Sequence, residues 1–440
     1  MNLPLFLARG VAKGGGQSIS RTIIAIAVVA VAISMATMVL ASALISGFKS
    51  EISVKIFGFW GHVHITEEKA ANDIMLTAEY PISSQQDFYP SLEEIGPITY
   101  RDFENPFGDN TSELRTTQGG IRHIQQFILL PGIVSAFQEG ERLASTEPLI
   151  LKGIAPDFAW EDFGQYLIEG QRLEVVPDTT SREILISNST AKRLRLGVGD
   201  RLDFVYFSGL REEKSRAFTV RGIYKTGLEE YDSKFALVDI KQLQGLLNWA
   251  PDQIGGFEVI VDDIDDLEAF SNYIHYDVLP QNLYADSIRN KLHELFNWLD
   301  IQDYNGIIIL ILVVLVAIIN MMTALLILIL ERTNMIGTLK ALGQDNWNIR
   351  KIFLYYAAFI VVVGLLLGNL IGLGLAWAQK TFGIVTLDEE SYYLSVAPIK
   401  LEWITILGLN LGTFAVTLLF LVLPSYLVTK IDPVKAIRFK

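Results

Sequence analysis

The sequence predicts a membrane protein with four transmembrane α-helices and a large mixed α+β extracytoplasmic domain inserted between the first two helices. Half of its 440 residues are hydrophobic, and many of them are concentrated in a few long runs. A helix needs roughly 20 consecutive apolar residues to cross a bilayer. Four runs without an internal acidic or basic residue meet that length: residues 22–47, 304–330, 352–378 and 403–428.

Lysine and arginine residues set the expected orientation, because positively charged flanks stay on the cytoplasmic side of a membrane. Basic residues outnumber acidic ones in the N-terminal segment 1–21, the loop 331–351 and the C-terminal tail 429–440. We therefore expect both termini and this loop in the cytoplasm of a multi-pass protein of the inner (cytoplasmic) membrane. The formal net charge of −13 then indicates that the periplasmic part is strongly acidic.

The N-terminal segment 1–21 has Leu3, Phe6 and Leu7 on one helical face, which predicts an amphipathic helix along the inner membrane surface. A disordered basic tail is the alternative that stays open. No obvious cleavage site follows the first span, so we expect it to be an uncleaved anchor.

The periplasmic domain is expected to comprise residues 48–303, with helical stalks where it joins the first two spans. A short second periplasmic loop is expected at residues 379–402. Residues 100–120 are polar and rich in Asn, Thr, Gly and Asp, which predicts a loop. The chain has no cysteine, so this domain must fold without disulfides.

Alternating apolar and polar residues predict short strands and helices through the domain. Two strands are predicted at 124–130 and 132–137, and a turn at 139–140 leads into the next strand. A helix is predicted from 188 to 196, with a Ser or Asn cap at its start and Gly197 at its end.

Polar and small residues inside the spans indicate helix packing. Asn320 lies in the second span, where an amide usually bonds to a neighbouring helix, and this role is favoured over a transport site. In the third span, Gly364, Gly368 and Gly372 recur at four-residue spacing. Such spacing predicts a face that another helix approaches closely.

The sequence lacks the motifs of common enzymes. It has no GxxxxGK[ST] loop to hold phosphate groups, no HExxH to bind zinc and no GxSxG to carry a nucleophilic serine. His62 and His64 share one face of a predicted strand, but no acidic or cysteine residue is spaced to complete a metal site. We therefore expect that this chain catalyses nothing and binds no metal or cofactor.

The loop after the second span contains a short amphipathic stretch. On a helix, Met335, Ile336, Leu339 and Leu342 form one apolar stripe, too short to span a membrane and placed on the cytoplasmic side. The pattern alone fits either an ordinary surface helix or a contact surface for another protein.

Several segments resemble one family. ERTNMIGTLKALG at 331–343 closely resembles the segment that FtsX-like ABC transporter permeases of the lipoprotein-releasing type, with a MacB-like periplasmic domain, place after their second span. The family's usual acidic position is replaced here by Asn334 and Met335. SGFKSEI, ILISNSTAKRLRLGVGDRL and LPSYLVTKIDPVKAIRF are similar to further segments of that family.

The resemblance implies a permease that pairs with a second permease copy, identical or different, and binds a dimer of a separate ABC ATPase holding ATP and Mg²⁺. It implies mechanotransmission: ATPase motion would move the periplasmic domain and release lipoprotein cargo from the inner membrane. The ATPase contacts carried over by position are Glu331, Arg332, Ile336, Leu339, Lys340 and Leu342.

In this subfamily one permease grips a periplasmic lipoprotein carrier with a long hairpin. The corresponding hairpin here is short, so direct carrier contact stays open; its tip residues are Ser208, Gly209, Leu210 and Arg211. Membrane lipids are further expected partners, and nucleic acid is not. Two alternatives remain: an FtsX-like regulator of periplasmic cell-wall hydrolases, and a MacB-like efflux pump.

Overall fold

The computed structural model describes residues 18–71, 73–102, 113–138, 141–208, 212–388, 392 and 394–432. These residues form two compact units. The membrane unit contains the described residues up to Glu51, then Trp298–Leu387 and those from Val396 onward. The sheet unit contains Ile52–Asn297 and the described part of Asp388–Ser395.

The helices described in both units are numbered in chain order. They are α1 Ser18–Trp60, α2 Trp160–Phe163, α3 Asn188–Leu194, α4 Glu229–Asp232, α5 Ile240–Leu247, α6 Leu267–Tyr273, α7 Ile288–Lys291, α8 His293–Glu331, α9 Thr333–Ala341, α10 Asn346–Phe382, α11 Trp403–Ser425 and α12 Leu427–Lys430.

The strands all lie in the sheet unit. They are β1 Val63–Glu67, β2 Ile82–Ser83, β3 Thr99–Asp102, β4 Glu113–Thr116, β5 Ile121–Gln138, β6 Glu141–Ile154, β7 Leu167–Gly170, β8 Glu183–Ser187, β9 Arg201–Ser208, β10 Glu212–Tyr224, β11 Phe235–Asp239, β12 Gln253–Ile254, β13 Gly256–Val261 and β14 Leu283–Ser287.

The predicted fold class is confirmed. In the described part of the chain, α1, α8, α10 and the α11–α12 segment are long and apolar enough to cross a membrane, and the sheet unit follows the first of them. α1 extends beyond its predicted span of residues 22–47: it has 43 residues and remains helical as far as Trp60. Gly61 follows with a φ of +68°, which glycine adopts without strain and which ends the helix.

The sheet unit is built on one mixed sheet of ten described strands. Its order is β14, β1, β13, β5, β6, β11, β8, β10 and β7, with β9 bonded to both β10 and β5. The pairs β6–β11 and β8–β10 are parallel, and β9 is antiparallel to both of its neighbours. Six strands, β5, β6, β11, β8, β10 and β9, therefore close a ring of hydrogen bonds, a closure that protects strand edges.

The prediction of a loop at 100–120 is wrong at residues 100–102 and 113–116, which lie in strands. Thr99 pairs with Thr116 and Asp102 with Glu113, so β3 and β4 form an antiparallel ladder. Its residues are mostly polar and lack the apolar alternation that identifies a half-buried strand. Residues 103–112 lie outside the described part of the chain.

The two strands predicted at 124–130 and 132–137 are one continuous strand, β5. Pro131 and Gly132 looked like a break, but both stay in register with β6. A Cβ on Gly132 would come within 2.3 Å of the Phe204 ring on β9, so the glycine serves a close strand contact. The predicted turn at 139–140 lies outside the described residues.

The helix predicted at 188–196 is shorter than expected. Ser187 is its cap and accepts the Thr190 N–H at 3.0 Å. The left-handed residue that ends it is Arg195, with a φ of +56°, rather than Gly197. Its position could not be read from sequence, because residues other than glycine adopt this conformation only when their surroundings enforce it.

Candidate coupling site

The candidate coupling segment, residues 331–343, folds as a short helix between two spans. Glu331 is the last residue of α8, Arg332 separates the helices, and α9 follows. Gly343 ends the segment with a φ of +83°. The Asp345 side chain then accepts the Trp347 N–H at 3.0 Å and caps α10. The segment is thus bounded by the helix break at Arg332 on one side and by the capped start of α10 on the other.

The apolar stripe of α9 packs against its own membrane unit. Ile336 is completely buried, and Met335 and Leu339 are partly buried against the same hydrophobic cluster. Leu342, at the end of the stripe, is 79% exposed. Ile336 therefore packs α9 against its own chain and has no surface available to another chain. Leu342, in contrast, is accessible to another chain.

Lys340 also makes contacts within the chain. Its Nζ donates to the carbonyl oxygens of Thr429 at 3.2 Å and Ile431 at 2.8 Å. Burial lowers the pKa of Lys340, and the charge of Asp432 opposes that shift. These contacts tie the C-terminal half of α9 to the end of α12.

A second face of α9 is exposed. Asn334, Thr338 and Leu342 follow one another at four-residue spacing and share this face. Glu331, just before the helix, is exposed as well. Asn334 and Thr338 were not among the contacts carried over by position from the family, although their four-residue spacing with Leu342 is visible in the sequence.

The three glycines predicted to form a packing face lie against α1. A Cβ on Gly368 would come within 2.6 Å of the Ala32 carbonyl oxygen, and one on Gly372 within 3.1 Å of the Ala36 Cα. A Cβ on Gly364 would come within 2.7 Å of the Val31 side chain on α1. The small residues of α1 and the glycines of α10 therefore face each other, and the two backbones approach closely.

Asn320 departs from expectation. It is exposed on α8, and its amide makes no hydrogen bond to any described residue. The amide contact between spans joins α10 and α11 instead: Asn369 Nδ2 donates to Asn410 Oδ1 at 2.7 Å, and Asn410 Nδ2 donates back at 3.1 Å. Asn320 lies on the side of α8 that faces away from the other helices of its own chain.

Just outside the predicted spans, ion pairs join α1 to α8. Lys49 Nζ lies 2.8 Å from Asp300 Oδ1 and 2.7 Å from Asp303 Oδ2. The rings of Phe48 and Trp298 meet edge to face beside this cluster. One lysine bridging two carboxylates holds the two stalk helices together at this level.

In the sheet unit, a buried ion pair lies against the end of α1. Lys152 Nζ is 2.6 Å from Glu258 Oε1 and also donates to the Phe59 carbonyl oxygen at 2.6 Å. Gln125 Nε2 donates to the other carboxylate oxygen at 2.7 Å. Burial lowers the pKa of Lys152 and raises the pKa of Glu258, while the charge of each partner opposes the shift of the other.

The two histidines considered for a metal site have backbone partners. His62 Nδ1 accepts the Val261 N–H at 2.9 Å, and His64 Nε2 lies 2.6 Å from the Trp60 carbonyl oxygen. Among the described residues, no group of three or more metal-ligating side chains is present. The positions of these rings are set by their backbone contacts.

The predicted carrier-contact hairpin is partly described. Ser208 is the last residue of β9, and β10 begins at Glu212. Gly209, Leu210 and Arg211 lie outside the described residues, as does most of the predicted N-terminal amphipathic segment. The two strands pair over eight residues each, from Ser208 with Glu212 to Arg201 with Thr219.

Two family models match the chain. The MacB-like periplasmic core domain matches residues 24–275, more than half of the chain, and the FtsX-like permease C-terminal model matches residues 307–433. Together they cover most of the sheet unit and most of each of the four candidate spans, and residues 276–306 lie between the two matches.

The chain is similar to curated proteins, in one case over nearly the full length of both chains. The lipoprotein-releasing system transmembrane protein LolE of Haemophilus influenzae is 22% identical over 457 aligned residues, covering 99% of each chain. LolC of Xylella fastidiosa is 22% identical and covers 69% of this chain and 76% of its own. LolC of H. influenzae is 24% identical and covers 59% of this chain and 64% of its own.

Proposed function

Because the chain belongs to the FtsX-like permeases that carry a MacB-like periplasmic core domain, we propose that it releases lipoproteins from the inner membrane. In this proposal it is the permease subunit of an ABC transporter, and ATP hydrolysis by a separate ATPase dimer drives the release. The observation that carries the proposal is the alignment over 99% of both chains with a protein named for lipoprotein release.

The ATPase is assigned to another subunit because this sequence contains no phosphate-binding loop. ATP and Mg²⁺ are accordingly held by that subunit, and the permease contributes force transmission. A second permease copy, a lipoprotein cargo and surrounding lipids complete the proposed assembly. Basic flanks support cytoplasmic termini, with the sheet unit on the periplasmic side.

The proposed ATPase contact is the exposed face of α9. Leu342 supplies apolar surface, and Asn334 and Thr338 supply polar groups beside it. Ile336 and Lys340, which were carried over as direct contacts, instead fix α9 to its own chain. A push on the exposed face would thus be passed to the spans through the docked face.

The route of force follows helix continuity. α1 runs without a break from Ser18 to Trp60, and α8 from His293 to Glu331. Lys49 joins the two helices through Asp300 and Asp303. Motion of either helix is therefore shared at this level before the chain enters the sheet unit.

Depletion of the protein in its native cell tests the function. Lipid-anchored proteins destined for the outer membrane should accumulate in the inner membrane, measured by membrane fractionation. Normal sorting would overturn the proposal. Altered septal cell-wall hydrolysis with normal sorting would identify the regulator, and drug sensitivity alone would identify efflux.

A pair of variants tests the ATPase contact. Leu342→Asp places a charge on the exposed face of α9 and should abolish copurification of the ATPase while permease levels stay normal. Ile384→Asp is the matched control, because Ile384 is also exposed but lies in the loop predicted to be periplasmic. Equal copurification with both variants would contradict the assignment.

Direct binding of a periplasmic carrier is a separate part of the proposal. The β9–β10 hairpin is the segment that would contact the carrier. Deleting residues 209–211 should leave ATPase copurification intact and reduce transfer of released lipoprotein to a carrier, measured in proteoliposomes. Unchanged transfer would show that the carrier does not depend on this hairpin.

A further inference from the structure

Two basic residues at the start of α10 lie among exposed aromatic rings. Arg350 Cζ is 5.2 Å from the centre of the Trp347 ring and 5.4 Å from the centre of the Tyr426 ring, which lies between α11 and α12. Lys351 Nζ is 5.6 Å from the centre of the same Trp347 ring. Trp347 is 47% exposed and Tyr426 is 57% exposed. These four residues are called the basic-aromatic cluster below.

The cluster retains positive charge and hydrogen-bond donors. One edge of the Arg350 guanidinium group is used within the chain, because Nε donates to Ser425 Oγ at 3.1 Å and Nη2 donates to the Val422 carbonyl oxygen at 3.4 Å. Among the described residues, Nη1 on the other edge and Lys351 Nζ have no hydrogen-bond acceptor, and neither side chain forms an ion pair. Both side chains are partly exposed. Two cationic groups are therefore available to an anionic ligand.

The cluster lies at the ends of two predicted spans. Arg350 and Lys351 directly precede the predicted span 352–378, and Tyr426 lies at the end of the predicted span 403–428. Both of these ends are on the side that the basic flanks assign to the cytoplasm. Trp and Tyr are enriched where a bilayer meets water, and anionic lipids give the cytoplasmic leaflet its negative surface potential. Lipid headgroups are therefore expected at the depth of the cluster.

An exposed apolar stripe leads from the cluster toward the middle of α10. The residues that follow Lys351 on this face, at spacings of three and four, are all at least 40% exposed: Tyr355, Phe359, Val362 and Leu366. An acyl chain can lie along this stripe while its headgroup is at the cluster. A free phosphate ion would gain nothing from the stripe, and a soluble protein would not reach it inside the bilayer.

We propose that the basic-aromatic cluster binds the phosphate group of an anionic phospholipid in the cytoplasmic leaflet. The planar guanidinium group matches phosphate oxygens, and the Lys351 ammonium group adds a second positive charge. Contact with the rings of Trp347 and Tyr426 helps to hold the guanidinium group in place. A zwitterionic headgroup carries a cation of its own, which the two basic residues repel. The inference rests on the proposed function only for the cytoplasmic placement of these helix ends.

Lipid binding to the purified full-length protein tests the site. In non-ionic detergent, phosphatidylglycerol should bind more tightly than phosphatidylcholine, measured by native mass spectrometry at increasing lipid concentration. Lys351→Gln leaves the Arg350 contacts with α11 in place and should weaken phosphatidylglycerol binding about fivefold, as expected for one basic residue at an anionic surface. Lys351→Arg should retain the binding. The matched control is Lys380→Gln, near the other end of α10, which should bind this lipid as the unchanged protein does.

Four results would overturn the inference. Two are equal binding of the two lipids and equal weakening by Lys351→Gln and Lys380→Gln. Displacement of the lipid by inorganic phosphate at constant ionic strength would assign the cluster to a soluble anion. Unchanged lipid binding by Lys351→Gln, together with loss of ATPase copurification, would assign it to the ATPase. The lipid measurement requires neither ATP hydrolysis nor lipoprotein sorting, so failure of the proposed function would leave its result intact.

Discussion

Lys152 and Glu258 lie side by side in the interior of the sheet unit, with the lysine Nζ 2.6 Å from Glu258 Oε1 and both side chains shielded from solvent. The same ammonium group donates to the Phe59 carbonyl oxygen near the C-terminal end of α1. The last carbonyls of a helix carry partial negative charge, which a cation stabilises. The ion pair therefore connects the end of α1 to β6 and β13.

Removing one partner of this pair should be strongly destabilising. Lys152→Met leaves the Glu258 carboxylate buried without its cation, and we expect a loss of about 3–5 kcal/mol in the free energy of unfolding. Chemical denaturation of the detergent-solubilised protein, followed by tryptophan fluorescence, measures this loss. Replacing both residues, as Lys152→Met with Glu258→Leu, should recover part of it because no charge is then left uncompensated.

A surface ion pair provides the control. Lys234 and Glu230 lie 3.0 Å apart, and both side chains are about half exposed. Lys234→Met should change stability by less than about 1 kcal/mol. Equal losses from the two lysine substitutions would show that the buried pair has no special importance.

The contact between α1 and α10 should depend on the absence of a side chain at Gly368. Gly368→Ala would place a methyl group 2.6 Å from the Ala32 carbonyl oxygen, so the helices must separate. Overpacking of this kind typically costs about 1–3 kcal/mol. We expect a lower midpoint of thermal unfolding in detergent.

Gly374, on the same helix, gives a matched substitution. No atom lies within 4 Å of the position that its Cβ would take, so Gly374→Ala introduces no clash. Alanine also favours helix by up to about 1 kcal/mol over glycine, so stability should be unchanged or higher. If both substitutions lowered the midpoint equally, helix contact would not be the cause.

The reciprocal amide pair between α10 and α11 should show energetic coupling. Asn369→Leu leaves Asn410 without its interhelical partner, and Asn410→Leu does the reverse. In the double variant neither amide remains, so the combined loss should be smaller than the sum of the single losses. A double-mutant cycle in detergent should give a coupling energy of about 0.6–1.7 kcal/mol. Additive losses would contradict the pairing.

The sequence was informative where a feature depends on neighbouring residues. The four spans follow from uninterrupted apolar runs, and the glycine spacing in the third span indicated a close helix contact before its partner was known. Most of β5 was predicted from local apolar patterns, although as two strands. The same criterion missed the pairing of β3 with β4, because these polar strands lack such a pattern.

Features that depend on distant residues were not predictable. Lys152 and Glu258 are brought together by the strand order β13, β5, β6, which no local pattern encodes. Asn369 and Asn410 are neighbours only because α10 and α11 pack together. The stripe on α9 showed that one face would be covered, but not that its own chain would cover Ile336 and leave Leu342 exposed.

His62 should make the stability of the sheet unit sensitive to acid. Burial, aided by the charge of Arg122, lowers the pKa of His62 to about 4 from its ordinary value of 6.5. The neutral ring accepts the Val261 N–H at Nδ1, a contact that protonation of that nitrogen would break. The unfolded chain therefore takes up a proton as pH falls below 6.5, whereas the folded protein does so only near pH 4.

This difference favours the unfolded chain in acid. The contribution of His62 to stability is complete above pH 6.5, declines between pH 6.5 and 4, and amounts to a loss of about 3 kcal/mol at pH 4. His62→Asn keeps an acceptor for the Val261 N–H without the titrating group, so its stability should fall less over this range. Denaturant unfolding of both proteins at pH 8 first determines the cost of the altered packing, and the same measurement at pH 4 then determines the effect of protonation. Parallel losses from pH 8 to pH 4 in the two proteins would show that another group is responsible.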